Sequence, residues 1–209
     1  MKVSLFGRIT SYIILSGATL FALFPIYWTF ITSLRDRVDI FAQVPVFFGG
    51  NLSFDNWVAV AGDPVFLSAL LTTIMVTVIA TVLTVFAGTL AAYAIARSPK
   101  FVGRKSFSSW LIVIRAVPGV VLAVPLYQIV ISAGLYDNPI ALAICYAAIN
   151  LPFSVWLMVG FIQGIPVQIE ESARIDGANQ FKIFTKVLLP LLKSGLGATT
   201  IFVAMLCWN

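Results

Sequence analysis

Histidine is absent from this 209-residue chain, cysteine occurs only twice, and charged residues make up 10% of it. Without histidine, the side chain most used for proton transfer near neutral pH and for zinc ligation is missing. Cys145 and Cys207 both sit inside apolar runs. They read as small helix residues, not as a disulfide framework or a metal centre, and no metal site is expected. The sequence also lacks H-E-x-x-H, G-x-S-x-G and G-x-x-x-x-G-K-[ST], so zinc hydrolysis, serine hydrolysis and nucleotide hydrolysis have no motif here. Ser–Lys chemistry would need Lys193 near a buried serine, and Ser194 beside it reads more simply as a helix entry residue. The net charge of +5 follows the membrane-facing pattern described below, and no nucleic-acid partner is expected from it. A soluble domain carries about 25% charged residues. This chain has too few to cover a globular surface, and lipid must cover it instead.

What the chain does have is apolar length: 60% hydrophobic residues and a mean hydropathy of +1.02. A membrane span needs about 20 apolar residues. The sequence predicts spans over Ile9–Ile31, within Phe66–Ala96, over Phe107–Ala133 and over Pro139–Phe161, with a fifth starting near Val187 and running to Asn209. They must be helices, because lipid satisfies no open backbone group. The expected fold is an all-α polytopic membrane bundle. One part is 1–65, holding the N-terminus, the first span and an external loop. The other is 66–209, a core with a polar loop over 165–190. Span one has a basic start but too long an apolar run and no A-x-A site, which predicts an uncleaved anchor.

Lys and Arg near the span ends set orientation. Lys2 and Arg8, then Arg97, Lys100, Arg104 and Lys105, then Arg174, Lys182, Lys186 and Lys193 fall on one side if the spans alternate. The other side carries Arg35 and Arg37 offset by Asp36, Asp39, Asp55, Asp63 and Asp137. This places the N-terminus and the 165–190 loop in the cytoplasm. The segment Ser33–Val65, with Phe47, Phe48, Phe54 and Trp57, reads as an ordered external loop with interfacial aromatics or as a landing surface for an outside partner.

The 165–190 loop is polar between two apolar segments. Pro166 suits a helix start, Glu170 and Glu171 sit where the dipole favours negative charge, and Arg174 falls in the last turn. Asp176-Gly177 is a stop signal, with glycine available for a left-handed cap. A second short helix starting at Asp176 or Asn179 is predicted through Lys186, with Phe181 and Phe184 on one face, continued by Val187 and Leu188. The result is helix–turn–helix at the cytoplasmic surface. From the residues alone it is an interfacial connector or a docking element.

Glu171-Ser172-Ala173, three residues, Gly177, nine residues, then Val187-Leu188-Leu189-Pro190 resembles the coupling loop of the permeases of ABC importers. Tyr93-Ala94-Ile95-Ala96-Arg97, Phe101-Val102-Gly103-Arg104, Pro118 and then Pro125-Leu126-Tyr127, Gly134-Leu135-Tyr136-Asp137, Leu151-Pro152-Phe153-Ser154-Val155-Trp156 and Trp208-Asn209 are similar, in order, to the carbohydrate (maltose-type) branch. The resemblance implies a permease that pairs with a second permease over two ATPase subunits, with a periplasmic or extracellular solute-binding protein delivering sugar, all in the bacterial plasma (inner) membrane. ATP and Mg would be used by the ATPase, and no cofactor would be bound by this chain. Glu171, Ser172, Ala173, Asp176, Gly177, Val187, Leu189 and Pro190 would form the docking loop. The family continues past Trp-Asn into a sixth span, so a C-terminally incomplete chain is expected.

Inside the membrane, Arg115, Tyr127, Gln128, Asn150 and Trp156 are candidates for a translocation path. Arg115 is a charge within a span, which either faces a water-filled path or snorkels to the interface. Asn150 before Pro152 either lines a broken helix or makes an interhelical hydrogen bond. Gly160 and Gly164, and Gly88, Ala92 and Ala96, form small-residue stripes suited to close helix packing. A permease for another solute (polyol, glycerophosphodiester or amino acid) fits the same loop. A secondary transporter tends to show inverted repeats and paired broken helices; the sequence has no clear repeat and no acid within its spans.

Overall fold

A computed structural model describes residues 5–40, 47, 49–98, 110–111, 113–114 and 116–208. The chain divides into two compact units, Met1–Ala69 and Leu70–Asn209.

In the first unit, α1 (Leu5–Ser33) is a 29-residue helix with no buried residue. Its surface is mostly apolar all round, which is what a lipid-facing helix needs. Pro25 lies inside it, and the Thr29 hydroxyl donates to the Pro25 carbonyl at 2.8 Å. After the short turn α2 (Arg37–Ile40), the chain returns to α3 (Asp55–Gly62). Side chains tie this return to the end of α1: Asn56 donates to the carbonyls of Ser33 (3.2 Å) and Arg35 (2.8 Å), and the Trp57 indole donates to the Ser33 hydroxyl (3.1 Å). Arg35 is buried, with its guanidinium 5.8 Å from the Trp28 ring and donating to the Gly49 carbonyl. Among the described residues, α3 is thus tied by side-chain hydrogen bonds to the end of α1.

The longest helix is α4 (Pro64–Arg97), 34 residues. Its buried side is a stripe of small residues, Thr77, Ala80, Thr81, Thr84, Gly88, Ala92 and Ala96. Such a stripe lets helices approach closely where lipid offers no hydrophobic drive for association. The stripe faces α6 (Pro139–Gln163). A β-carbon on Gly88 would lie 2.3 Å from the Ser154 hydroxyl and 2.8 Å from Ser154 Cβ, so the two helices meet at van der Waals limit there. The helix α9 (Lys193–Trp208) closes against α6 in the same way, with Gly195 under the Phe161 ring. Met158, Ile162, Leu188, Leu192 and Val203 are wholly or almost wholly buried between them. Gly160 behaves differently: it is exposed, and a β-carbon there would meet nothing within 4 Å. The predicted Gly160–Gly164 packing stripe is thus not used within the described part of this chain.

Among the described residues there is no strand, only an isolated bridge between Arg35 and Leu52. Among the described residues three helices, α1, α4 and α6, are long and apolar enough to cross a membrane, and the bent pair Gln180–Leu191 and Lys193–Trp208 makes a fourth if it is one span. Two expected spans differ. The third was expected as one helix over Phe107–Ala133. Instead the chain turns at Ala116-Val117, and Pro118 (ψ 132°) caps a separate 14-residue helix, α5 (Gly119–Ser132). A proline disfavours helical geometry in the residue before it, which is why a continuous helix fails at Val117. The fifth was expected to start near Val187. Residues up to Leu191 belong to an earlier helix, and α9 leaves it at a 75° bend.

Candidate coupling surface and translocation groove

Between α6 and α9 lies a helix–turn–helix. Pro166, extended at φ −57°, ψ 132°, precedes α7 (Val167–Ile175). The turn that ends α7 can be read bond by bond. Ala178 N–H donates to the Ala173 carbonyl at 3.0 Å, and Gly177 N–H donates to the Arg174 carbonyl at 3.1 Å. Gly177 has φ +82°. These two bonds and the left-handed residue between them are a Schellman cap, with Gly177 at C′. The four-residue spacing from Ala173 to Gly177 is the spacing this cap needs.

Asn179 then caps the next helix, its side chain accepting from the Lys182 N–H at 2.9 Å. This helix, α8 (Gln180–Leu191), widens to π geometry over Ile183–Leu188 and ends in a short α turn containing Pro190. A proline in a helix lacks the N–H for the carbonyl four residues back and presses its ring on it. The wide turn lies directly before Pro190 and makes room for it. The π repeat of five also explains why Ile183 and Leu188 are both fully buried. It overturns the expected Phe181–Phe184 face: Phe181 is 74% exposed, while Phe184 packs on the Tyr93 ring with centroids 5.1 Å apart.

Of the expected docking residues, Glu171, Ser172, Asp176, Gly177 and Pro190 are exposed, and Ala173, Val187 and Leu189 are half-buried. The Ser172 hydroxyl donates to the Gln168 carbonyl. Flanking the turn, Ile175 is 86% exposed, so two large apolar side chains, Ile175 and Phe181, stand out in solvent beside Gly177. Glu171, Arg174, Asp176, Lys182 and Lys186, nearby in sequence, are exposed as well. The sequence points to Phe181 only as a partner of Phe184 on a packed face, and it gives Ile175 no role.

It also missed the residues that hold α7 from behind. Glu170 is 3% exposed. Its Oε1 accepts from Arg97 Nε at 2.6 Å, and its Oε2 accepts from the Tyr93 hydroxyl at 3.1 Å. Arg97 also donates to the Ile165 carbonyl at 2.8 Å. Gln180 donates to the Tyr93 hydroxyl oxygen and accepts from Arg174 at 3.1 Å. Every donor in this chain has one direction, from Arg174 through Gln180 and Tyr93 to Glu170, with Arg97 closing the other end. From the sequence, Arg97 is an orientation marker and the end of a family-like stretch, and Glu170 is a favourable first-turn charge; neither reading pairs them.

The translocation candidates separate. Two cavities, about 550 and 450 Å³, share Gly119, Leu126, Tyr146 and Ile149 in their walls, which makes one groove between α5 and α6. Tyr127 lines the larger and meets Tyr136 edge-on at 6.3 Å. Asn150 lines the smaller, donating to the Tyr146 carbonyl (2.9 Å) and to the Cys207 sulfur of α9 (3.6 Å). The interhelical bond is therefore present, and α6 runs unbroken through Pro152, contrary to the broken-helix alternative. Gln128 is exposed and lines neither cavity. Trp156 stacks on Phe153 at 6.3 Å and also lies outside the groove walls. Arg115 lies outside the described residues.

Residues 84–209, which include all of this helix–turn–helix and groove apart from Thr72, match the family described as binding-protein-dependent transport system inner membrane component. The chain belongs to this family. Over its whole length it is 31% identical to the diacetylchitobiose uptake system permease protein DasC of Streptomyces coelicolor, covering 75% of that protein. It is 32% identical over 189 residues to the trehalose transport system permease protein SugB of Mycobacterium tuberculosis, covering 90% of this chain and 68% of that one. Among solved structures it resembles a chain of a bacterial ABC transporter involved in the import of the acidic polysaccharide alginate. That likeness has a TM-score of 0.78 and 28% identity, and covers 100% of this chain and 74% of that one. As a family member it is a multi-pass, non-enzymatic transport subunit of the inner membrane.

Proposed function

We propose that this permease imports sugars or sugar-like solutes by coupling to ATP hydrolysis on a separate ATPase. The observation that carries this is the capped helix–turn–helix, with Ile175 and Phe181 exposed beside Gly177, in a chain whose relatives are named for disaccharide uptake. The turn is the docking element. Two ATPase subunits using ATP and Mg bind it and its counterpart on a second permease, and a solute-binding protein delivers the sugar from outside. The N-terminus and the turn lie in the cytoplasm in this reading, which the distribution of Lys and Arg supports. Glu171 and the exposed cations supply the charged rim, and the apolar pair supplies the buried centre, the usual anatomy of a specific interface.

The groove holding Tyr127 and Asn150 is the segment of the path contributed by this chain. Its wall offers aromatic faces and few polar groups, which suits a solute that moves along it without being held. The test is reconstitution of the complete transporter with its binding protein in liposomes. Sugar-loaded binding protein should stimulate ATP hydrolysis and drive uptake with no ion gradient. Uptake that follows an ion gradient and ignores ATP would sink the reading. Stimulation only by a polyol or an amino acid would move the solute class and leave the coupling intact.

A further inference from the structure

We propose that Arg97 and Glu170 form the joint through which the coupling helix moves the membrane helix α4. The idea rests on the ATPase-docking reading above and adds to it the route by which motion leaves the docking surface.

Neighbouring glutamates on α7 face opposite ways. Glu171 is exposed, while Glu170 is turned inward at 3% exposure. A helix advances about 100° per residue, so one helix presents one face to a partner and the other to its own membrane core. On the inner face, α7 is held at three points to the end of α4. Arg97 Nε and the Tyr93 hydroxyl each take one oxygen of Glu170, and Arg97 Nη2 holds the Ile165 carbonyl at 2.8 Å. Ile165 belongs to the Gly164–Pro166 link between α6 and α7. The arginine therefore clamps both the coupling helix and the link that would otherwise let that helix swing. Gln180 and Arg174 extend the bonds to α8 and back to α7, so both limbs of the helix–turn–helix are tied to the same helix end.

A buried ion pair is a poor choice if the aim is stability alone, because desolvation offsets most of the attraction and a well-packed apolar pair often does as well. Its distinctive property is directional: the guanidinium accepts only a narrow set of positions for its carboxylate and carbonyl partners. The pair side chains are 12% and 4% exposed, so water does not substitute for either partner when the helices shift. A push on α7 is therefore passed to α4 and is not absorbed by sliding at the contact.

The experiment uses the complete transporter in liposomes, with solute uptake and ATP hydrolysis measured on the same preparation. Three changes are compared: Glu170→Gln, Arg97→Lys, and the apolar double change Arg97→Met with Glu170→Leu. Glu170→Gln keeps shape and removes charge. Arg97→Lys keeps charge and loses the fork that reaches both Glu170 and Ile165. The double change removes the pair without leaving a buried charge. All three are expected to retain the ATPase on co-purification. Solute moved per ATP should fall by about tenfold in Glu170→Gln and in the double change, the order of factor that coupling between two sites carries. Arg97→Lys should fall between these and the unaltered protein. An assembled double variant with unchanged solute per ATP would reduce the pair to a structural contact and overturn the proposal. It would overturn it equally if the single changes failed to assemble. If even the unaltered transporter moved solute without regard to ATP, the docking reading itself would go, and the joint with it.

Discussion

Gly177 offers a way to separate the cost of a turn from the cost of an interface. Its φ of +82° is a conformation that costs an L-residue about 1–2 kcal/mol. A β-carbon there would meet nothing within 4 Å, so inside this chain the penalty of substitution is conformational alone. That penalty is set by the backbone and is nearly the same for alanine and for tryptophan. Asparagine tolerates the left-handed region better and should cost less. In terms of the cap, alanine shifts the balance between formed and frayed turn by a factor of about 5 to 30. Binding of the ATPase falls by no more than that factor, and by less if the Ala178–Ala173 and Gly177–Arg174 bonds keep the turn mostly formed. Tryptophan pays the same conformational cost and also fills space just outside the turn. The assay is the affinity of the purified ATPase for the permease in nanodiscs, for Gly177→Asn, Gly177→Ala and Gly177→Trp. The expected order of affinity is Asn, then Ala, then Trp, with the Ala-to-Trp gap larger than the Asn-to-Ala gap. Equal losses for Ala and Trp would mean that nothing docks against the turn, and that Gly177 serves only as a helix cap.

Gly88→Ala should destabilise the purified protein by about 1–3 kcal/mol through overpacking, because its β-carbon would sit 2.3 Å from the Ser154 hydroxyl and 2.8 Å from Ser154 Cβ. Thermal unfolding in detergent measures this, and the exchange Gly88→Ala with Ser154→Gly should restore most of the loss, whereas Ser154→Ala should not. Ile175→Asp and Phe181→Asp should each abolish ATPase co-purification while leaving the thermal midpoint of the isolated permease within error, since both side chains are mostly exposed. Tyr127→Ala should raise the solute concentration for half-maximal uptake in the reconstituted transporter if the α5–α6 groove carries solute, and unchanged uptake kinetics would remove the groove from the path.

How much of this was visible in the sequence depends on the range of the interaction concerned. Apolar length alone located α1, α4 and α6, and the Asp176-Gly177 pair located the turn, because a span and a glycine cap are decided within one or two helical turns. The break at Val117 is equally local, yet apolar length does not show it. Pro118 sat inside an apolar run that hydropathy reads as continuous, although proline restricts the residue before it whatever the hydropathy. The bend after Leu191 and the π turn over Ile183–Leu188 were hidden for a related reason: the Phe181–Phe184 spacing was read with an α period, and Pro190 had already widened the helix.

Glu170 is the instructive case. In the sequence it and Glu171 are two identical residues side by side at a helix start, and either could be the one that faces out. What distinguishes them lies 73 residues earlier in the chain, at Arg97. A signal was present there. Tyr93 and Arg97 are spaced i, i+4, so they share one face at the end of a membrane helix, and a hydroxyl and a guanidinium on one face make a site for one carboxylate. Charge counting treats Arg97 as a topological mark, and the family pattern fixes attention on Glu171, so neither calls for that carboxylate. The constraint comes instead from burial: an arginine at 12% exposure needs a partner, and an acid at the right height on the facing helix meets the need. The proposed docking surface and the proposed joint behind it thus follow from a single helix read on its two faces. The outer face is recognisable by motif, and the inner one only by asking where each buried charge finds its counterpart.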